Sequence, residues 1–171
     1  MTLEKINTLS ERDAHTLFRL CCGSKRWAQE MTSHRRFQNR EEMLAIAEEV
    51  WNNLSHDDWK EAFAQHPRIG DIKSLWKEFS TTAQWAEGEQ AGVKQTSEKV
   101  LKALAEGNKL YEAKFGYIFI VCATGKSAEE MLAILNIRLN NYPADEIKIA
   151  AAEQAKITRL RLEKLLNTIV Q

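Results

Sequence analysis

The sequence predicts an all-α fold: a single-domain helical bundle of about eight helices over residues 1–171, with one buried extended segment near 117–124. Three observations predict it. The chain has 171 residues but only seven Gly and two Pro, so few residues interrupt a helix. Apolar residues recur at helical spacing along most of the chain. The single strand-like run, FGYIFIVCATG at 115–125, has no second run with which it can pair.

Capping residues divide the first half of the chain into helices. Ser10 begins a helix that is expected to end near residue 22, and Asn39 begins another that is expected to reach residue 54. Ser55 begins a third helix. That helix should end near residue 65, because Pro67 disfavours a helical conformation at the residue before it.

The second half is predicted to contain three longer helices. The first spans roughly 93–114 and includes Gly107, which costs about 1 kcal/mol relative to Ala inside a helix. Ser127 caps the second, which the Tyr142-Pro143 pair interrupts, and the last helix runs from about 144 to 170. Between the first two, the apolar run at 118–123 implies burial on all sides, either as an extended segment or as a buried helical turn.

Charge and cysteine usage exclude several classes of protein. Lys+Arg and Asp+Glu both number 24, which argues against broad electrostatic binding to nucleic acid or to a membrane surface. The longest apolar run is too short to span a bilayer, and no secretory signal is expected. The three cysteines, two of them adjacent, indicate a reducing compartment, so a cytoplasmic location is expected. The four histidines lie at unrelated spacings, so no metal site is predicted.

Three places in the chain carry candidate chemistry. His66 opens the stretch HPRIGD at the end of a predicted helix, where Pro67 restricts the backbone and helps to orient the imidazole. Glu89 and Gln90 lie between two glycines and have oxygens that accept N–H hydrogen bonds from a urea-like group. Arg138 lies on the apolar side of its helix, and a buried guanidinium needs an anion. Each of these places also has an interpretation without chemistry. His66 could mark an ordinary helix end, Glu89 and Gln90 could lie in a solvated loop, and Arg138 could form a structural salt bridge.

Four stretches together resemble a known family. HPRIGD at 66–71, EGEQAGV at 87–93, FGYIFIVCATGKSAEEML at 115–132 and RLNN at 138–141 are similar to the decarboxylases of purine breakdown that act on 2-oxo-4-hydroxy-4-carboxy-5-ureidoimidazoline (OHCU). The resemblance covers nearly the whole chain in order and spacing. It implies an all-helical enzyme without a cofactor, a homodimer, and conversion of this small-molecule substrate to (S)-allantoin with release of CO2.

The resemblance also implies roles for particular residues. His66 would be the catalytic acid/base, Arg138 would bind an anionic or carbonyl group, and Glu89 and Gln90 would bind the ureido and ring polar groups. The remaining expected substrate-binding residues are Pro67, Ala86, Glu87, Gly88, and the backbone of Phe119, Ile120, Val121, Cys122 and Ala123. Ala86 departs from the family pattern, which often has Ser at that position, so one hydroxyl hydrogen bond is lost.

Two other functions are compatible with the same residues. A helical binding module without chemistry would expose a large apolar patch, and its His66 would not face a cavity. A cofactor-independent hydrolase of ureido compounds would use the same pocket to activate water. Only the decarboxylase releases CO2 without consuming water, so product analysis distinguishes them.

Overall fold

The computed structural model describes residues 1–66 and 91–167, and this part of the chain forms helices and no strand. The all-α prediction is confirmed. The eight helices within these two ranges are α1 (Leu3–Thr8), α2 (Glu11–Cys21), α3 (Lys25–Ser33), α4 (Arg40–Asn52), α5 (His56–Ala64), α6 (Ala91–Phe115), α7 (Ala128–Arg138) and α8 (Pro143–Asn167).

The helices belong to two compact units. The first unit comprises Met1–His66 and Ala151–Gln171, and the second comprises Pro67–Ala150. Helix α8 therefore contributes its beginning to the second unit and its remainder to the first. The single domain over 1–171 stays a prediction.

Side-chain caps begin the helices as the sequence predicts. The side chains of Ser10, Asn39, Ser55 and Ser127 each accept a hydrogen bond from the backbone N–H three residues later. At Ser55 the bond is reciprocated by the Asp58 side chain, which completes a capping box. Helices α1 and α3 were not predicted. Helix α1 has only six residues, whereas α3 has nine and buries Trp27, Ala28 and Met31 at helical spacing. Pro143 begins α8 rather than preceding it, which suits a residue without an N–H.

Aromatic side chains form the centre of the first unit. The ring of Phe18 makes edge contacts with Trp27 and Phe37, at centroid distances of 6.0 and 6.4 Å. The indole N–H of Trp27 donates to the carbonyl oxygen of Ala47 at 3.0 Å. The indole of Trp51 donates to the carbonyl oxygen of Ala151 at 2.9 Å, which fixes α8 against α4.

A glycine allows close packing of α6 against α7 in the second unit. A Cβ atom at Gly107 would lie 2.5 Å from Cδ2 of Leu135, closer than two carbon atoms can approach without movement. Leu135 is fully buried. The helix-propensity cost of Gly107 is therefore offset by contact between the two helices.

The apolar run after α6 is neither a helix nor a strand over 118–123. It follows Gly116, whose positive φ of 83° ends α6 in the left-handed conformation. Tyr117, Ile120 and Cys122 are buried, but the intervening positions are half-buried: Ile118, Phe119, Val121 and Ala123. The expectation of burial on all sides is therefore wrong. A short apolar run does not require it, since much of any protein surface is apolar.

Among the described residues, no helix combines the length and the apolar character needed to cross a membrane.

Candidate active site

His66 lies two residues beyond the end of α5 at Ala64, and Gln65 between them is the C-cap of the helix. Its backbone N–H donates to the carbonyl oxygen of Phe63 at 3.3 Å, which continues the last turn. The side chain is half-buried, and its Nε2 atom is hydrogen-bonded to Oε1 of Gln154. Gln154 is fully buried on α8 and belongs to the same unit as His66. The imidazole is therefore held by a side chain 88 residues later in the sequence.

Burial lowers the pKa of His66 below its ordinary value of 6.5, because the charged imidazolium loses solvation. The hydrogen bond that His66 makes to Gln154 raises the pKa, whereas the positive charge of Arg161 lowers it further. The neutral imidazole therefore predominates at neutral pH. In that form one ring nitrogen carries a hydrogen and the other is available to accept a proton.

Arg138 occupies a buried polar cluster in the second unit. Its Nε donates to both carboxylate oxygens of Glu146, at 3.2 Å for Oε2, and Glu146 is fully buried. Its Nη1 donates to the carbonyl oxygen of Ile120 at 2.6 Å, and its Nη2 donates to the Tyr111 hydroxyl at 3.3 Å. The guanidinium also lies 4.6 Å from the centroid of the Phe119 ring. The structure thus contains the salt bridge that the sequence left open as one alternative.

Three carbonyl groups of the run 118–123 are engaged by the protein. Those of Ile120 and Cys122 accept from Arg138 and from Lys126 Nζ, at 2.6 and 2.7 Å, and that of Ala123 accepts from the backbone N–H of Lys126 at 3.0 Å. Within the part of the chain that the structure describes, no hydrogen bond is made by the N–H groups from Phe119 to Ala123.

The remaining predicted site residues cannot be placed. Pro67 lies outside the described residues, as do Ala86, Glu87, Gly88, Glu89 and Gln90. No cluster of three or more metal-ligating side chains occurs in the ranges 1–66 and 91–167.

Comparison with known proteins identifies the family. Residues 7–163 match the family model for OHCU decarboxylase. The chain belongs to the OHCU decarboxylase family. The family resemblance is therefore confirmed.

Similar proteins come from a plant and from an animal. The chain is 38% identical over 151 residues to the uric acid degradation bifunctional protein TTL of Arabidopsis thaliana, with coverage of 88% of the chain and 46% of the relative. It is 29% identical over 135 residues to 2-oxo-4-hydroxy-4-carboxy-5-ureidoimidazoline decarboxylase of Amia calva, with coverage of 79% and 77%. The chain thus spans about half the length of the Arabidopsis protein.

A solved structure of an OHCU decarboxylase in the presence of (S)-allantoin is similar in fold and sequence. The TM-score is 0.70 at 39% identity, and the match covers 87% of this chain and 96% of that one.

The sequence interpretation missed four side chains around the predicted residues. Gln154 and Arg161 influence His66, and Glu146 and Tyr111 hold Arg138. Gln154 was detectable in principle, since it lies between the buried Ala151 and Leu162 at helical spacing on α8. A polar residue at such a position needs a partner inside the protein.

Proposed function

We propose that this chain converts 2-oxo-4-hydroxy-4-carboxy-5-ureidoimidazoline to (S)-allantoin and CO2, with His66 as the catalytic acid/base. The observation that carries the proposal is the half-buried His66 ring, neutral at neutral pH and held at Nε2, in a chain of the OHCU decarboxylase family. The related structure in the presence of (S)-allantoin supports the assignment of the product.

The chemistry requires no external electron acceptor. The bond between the substrate carboxylate and the hydroxyl-bearing ring carbon breaks, and its electron pair forms a double bond to the neighbouring carbon. The π electrons of the ring C=N move to nitrogen, which takes a proton. CO2 leaves, and an enol remains. The substrate therefore supplies its own electron sink, and we propose that the enzyme uses no cofactor.

His66 would act on the hydroxyl group of this intermediate. Its neutral ring accepts the hydroxyl proton, and the carbon that bears the ureido group takes up a proton on one face. The net reaction consumes one proton for each carboxylate lost as CO2. Delivery of the proton to a single face gives (S)-allantoin, and we propose that Glu89 fixes the ureido arm for this step. Such acid–base catalysis contributes about 100-fold to 10,000-fold in rate.

The segment from Phe119 to Ala123 is a proposed substrate-binding segment on the strength of the family motif. Backbone N–H groups suit carbonyl and carboxylate oxygens of the substrate. Arg138 remains a proposed substrate-binding residue, with one N–H on each Nη beyond those bonded to Ile120 and Tyr111. Pro67, Ala86, Glu87, Gly88 and Gln90 complete the proposed site on the strength of the family motifs.

Arg161 is a further proposed anion-binding residue. Its side chain is exposed, donates through Nη1 to the carbonyl oxygen of Cys21 at 3.2 Å, and lies close enough to lower the pKa of His66. A guanidinium near the acid/base is suited to the substrate carboxylate.

A homodimer and a cytoplasmic location complete the proposal. Ile157, Leu160 and Leu165 of α8 are only half-buried, which leaves part of its apolar stripe for a second copy. The three cysteines of the chain are all unpaired thiols, as expected in a reducing compartment.

The experiment that tests the proposal generates the substrate from urate in situ and follows the circular dichroism of allantoin. The uncatalysed reaction gives a racemate, so an excess of (S)-allantoin supports the decarboxylase. Release of the ureido group as urea, with water consumed, would instead identify a hydrolase.

A further inference from the structure

Both the oxygen and the nitrogen of the Gln154 amide group form hydrogen bonds with other side chains. Its Oε1 is bonded to Nε2 of His66, and its Nε2 donates to the hydroxyl oxygen of Thr158 at 3.1 Å. Gln154 and Thr158 are both buried and lie one turn apart on α8. One stretch of helix therefore supplies both the partner of the imidazole and the group that orients this partner.

The direction of the hydrogen bonds follows from the placement of the Gln154 amide. Its N–H group donates to the hydroxyl oxygen of Thr158 at 3.1 Å, and its Oε1 atom lies against the ring of His66. The amide oxygen consequently faces His66, and an oxygen accepts only from a ring nitrogen that carries a hydrogen.

We propose that Gln154 is a positioning residue that holds neutral His66 as the Nε2–H tautomer, with Thr158 fixing the orientation of the Gln154 amide. Nδ1 is then the nitrogen that accepts the substrate proton. The inference rests on the proposed role of His66 as acid/base and identifies which ring nitrogen accepts the proton. If the amide turned over, its N–H groups would face Nε2 and would favour the Nδ1–H tautomer, which places the hydrogen on the reacting nitrogen.

Two substitutions at Thr158 separate orientation from packing. Thr158→Val keeps the shape and removes the hydroxyl, so the Gln154 amide loses the partner that orients it. Thr158→Ser keeps the hydroxyl and is the matched control. Gln154→Glu offers an oxygen whichever way it turns, so it retains the Nε2–H tautomer without help from Thr158. Circular dichroism in the far ultraviolet shows whether Thr158→Val folds. If it does not, Gln154→Glu still tests the inference.

The measurement is the nitrogen-15 NMR spectrum of ring-labelled histidine, with the His66 signals assigned by their absence in His66→Asn. We expect Nε2–H in the wild type, Thr158→Ser and Gln154→Glu, and a population of Nδ1–H in Thr158→Val. We also expect kcat to fall about 10-fold or more in Thr158→Val, with KM within about twofold, because a misplaced hydrogen impairs only proton transfer.

Three results would overturn the inference. The first is the Nδ1–H tautomer in the wild type or in Gln154→Glu. The second is a Thr158→Val variant with both the wild-type tautomer and the wild-type kcat. The third is a fall in kcat in Thr158→Val without a change of tautomer. Failure of the proposed function gives a different pattern. The wild type would then produce no excess of (S)-allantoin, whereas the tautomer would still be readable from the spectrum.

Discussion

Arg138 and Glu146 form a buried ion pair across the turn between α7 and α8. The Nε atom of Arg138 donates to both carboxylate oxygens, and neither side chain has appreciable exposure to solvent. Two further hydrogen bonds of the guanidinium reach the carbonyl oxygen of Ile120 and the Tyr111 hydroxyl. The pair therefore connects α6, the segment after it, α7 and α8 within the second unit.

Removal of one charge from this pair should destabilise the protein. Glu146→Gln leaves the Arg138 guanidinium buried without its anion, and breaking a buried pair in this way costs about 3–5 kcal/mol. We expect a large decrease in Tm, measured by thermal unfolding. A decrease of no more than that caused by the exposed variant Glu129→Gln would show that the pair contributes little.

Arg138→Lys tests whether the same guanidinium also binds substrate. Lysine keeps the charge but loses the planar fork, so both stability and substrate binding should suffer. At a temperature where both variants are folded, we expect a larger increase in KM for Arg138→Lys than for Glu146→Gln. Equal kinetics in the two variants, together with a loss of Tm, would assign Arg138 to the scaffold alone.

Gly107→Ala should destabilise the contact between α6 and α7. The added Cβ would meet the Leu135 side chain at 2.5 Å, and overpacking costs about 1–3 kcal/mol, against a gain in helix propensity of about 1 kcal/mol. The double variant Gly107→Ala/Leu135→Ala removes the clash. We expect the effects on the free energy of unfolding to be less than additive, and strict additivity would contradict the contact.

The pH dependence should reveal the neutral form of His66. If His66 accepts a proton, kcat/KM rises with pH through the pKa of His66 and is level at neutral pH. Because burial lowers this pKa, we expect the midpoint below 6.5. Arg161→Gln removes a positive charge and should move the midpoint upward. A midpoint at or above 6.5 in the wild type would contradict the buried, neutral imidazole.

The oligomeric state can be measured directly. We expect a homodimer at micromolar concentration in sedimentation equilibrium, because half-buried apolar residues of α8 remain available to a second copy. Ile157→Glu and Leu160→Glu should shift the equilibrium toward the monomer. A wild-type monomer under these conditions would contradict the proposed dimer.

Local chemistry explains which features of the fold could be predicted. The caps at Ser10, Asn39, Ser55 and Ser127 act within one turn, so sequence patterns reveal them. The six residues of α1 are too few to show a period, and the helix depends on packing around the buried Ile6. The helical spacing of Trp27, Ala28 and Met31 in α3 is present in the sequence and was overlooked.

The same distinction between local sequence patterns and contacts distant in the sequence applies to the candidate site. The position of Arg138 on an apolar helix face indicated burial, and the side chain is buried. Its partner Glu146 depends on how the chain turns between α7 and α8, which the spacing of residues does not specify. Gln154 meets His66 across 88 positions, so no local pattern joins them. The sequence indicated which residues were candidates, whereas the partners that orient them required the fold.

The most direct test of the central claim compares the wild type with His66→Asn in the production of allantoin from urate oxidised in situ. Circular dichroism reports the handedness of the product, and a second spectrum in the far ultraviolet confirms the helical fold of both proteins. We predict an excess of (S)-allantoin with the wild type and a loss of turnover of about 100-fold or more with His66→Asn. A racemic product from the folded wild type, or near-normal turnover by the folded variant, would contradict the account.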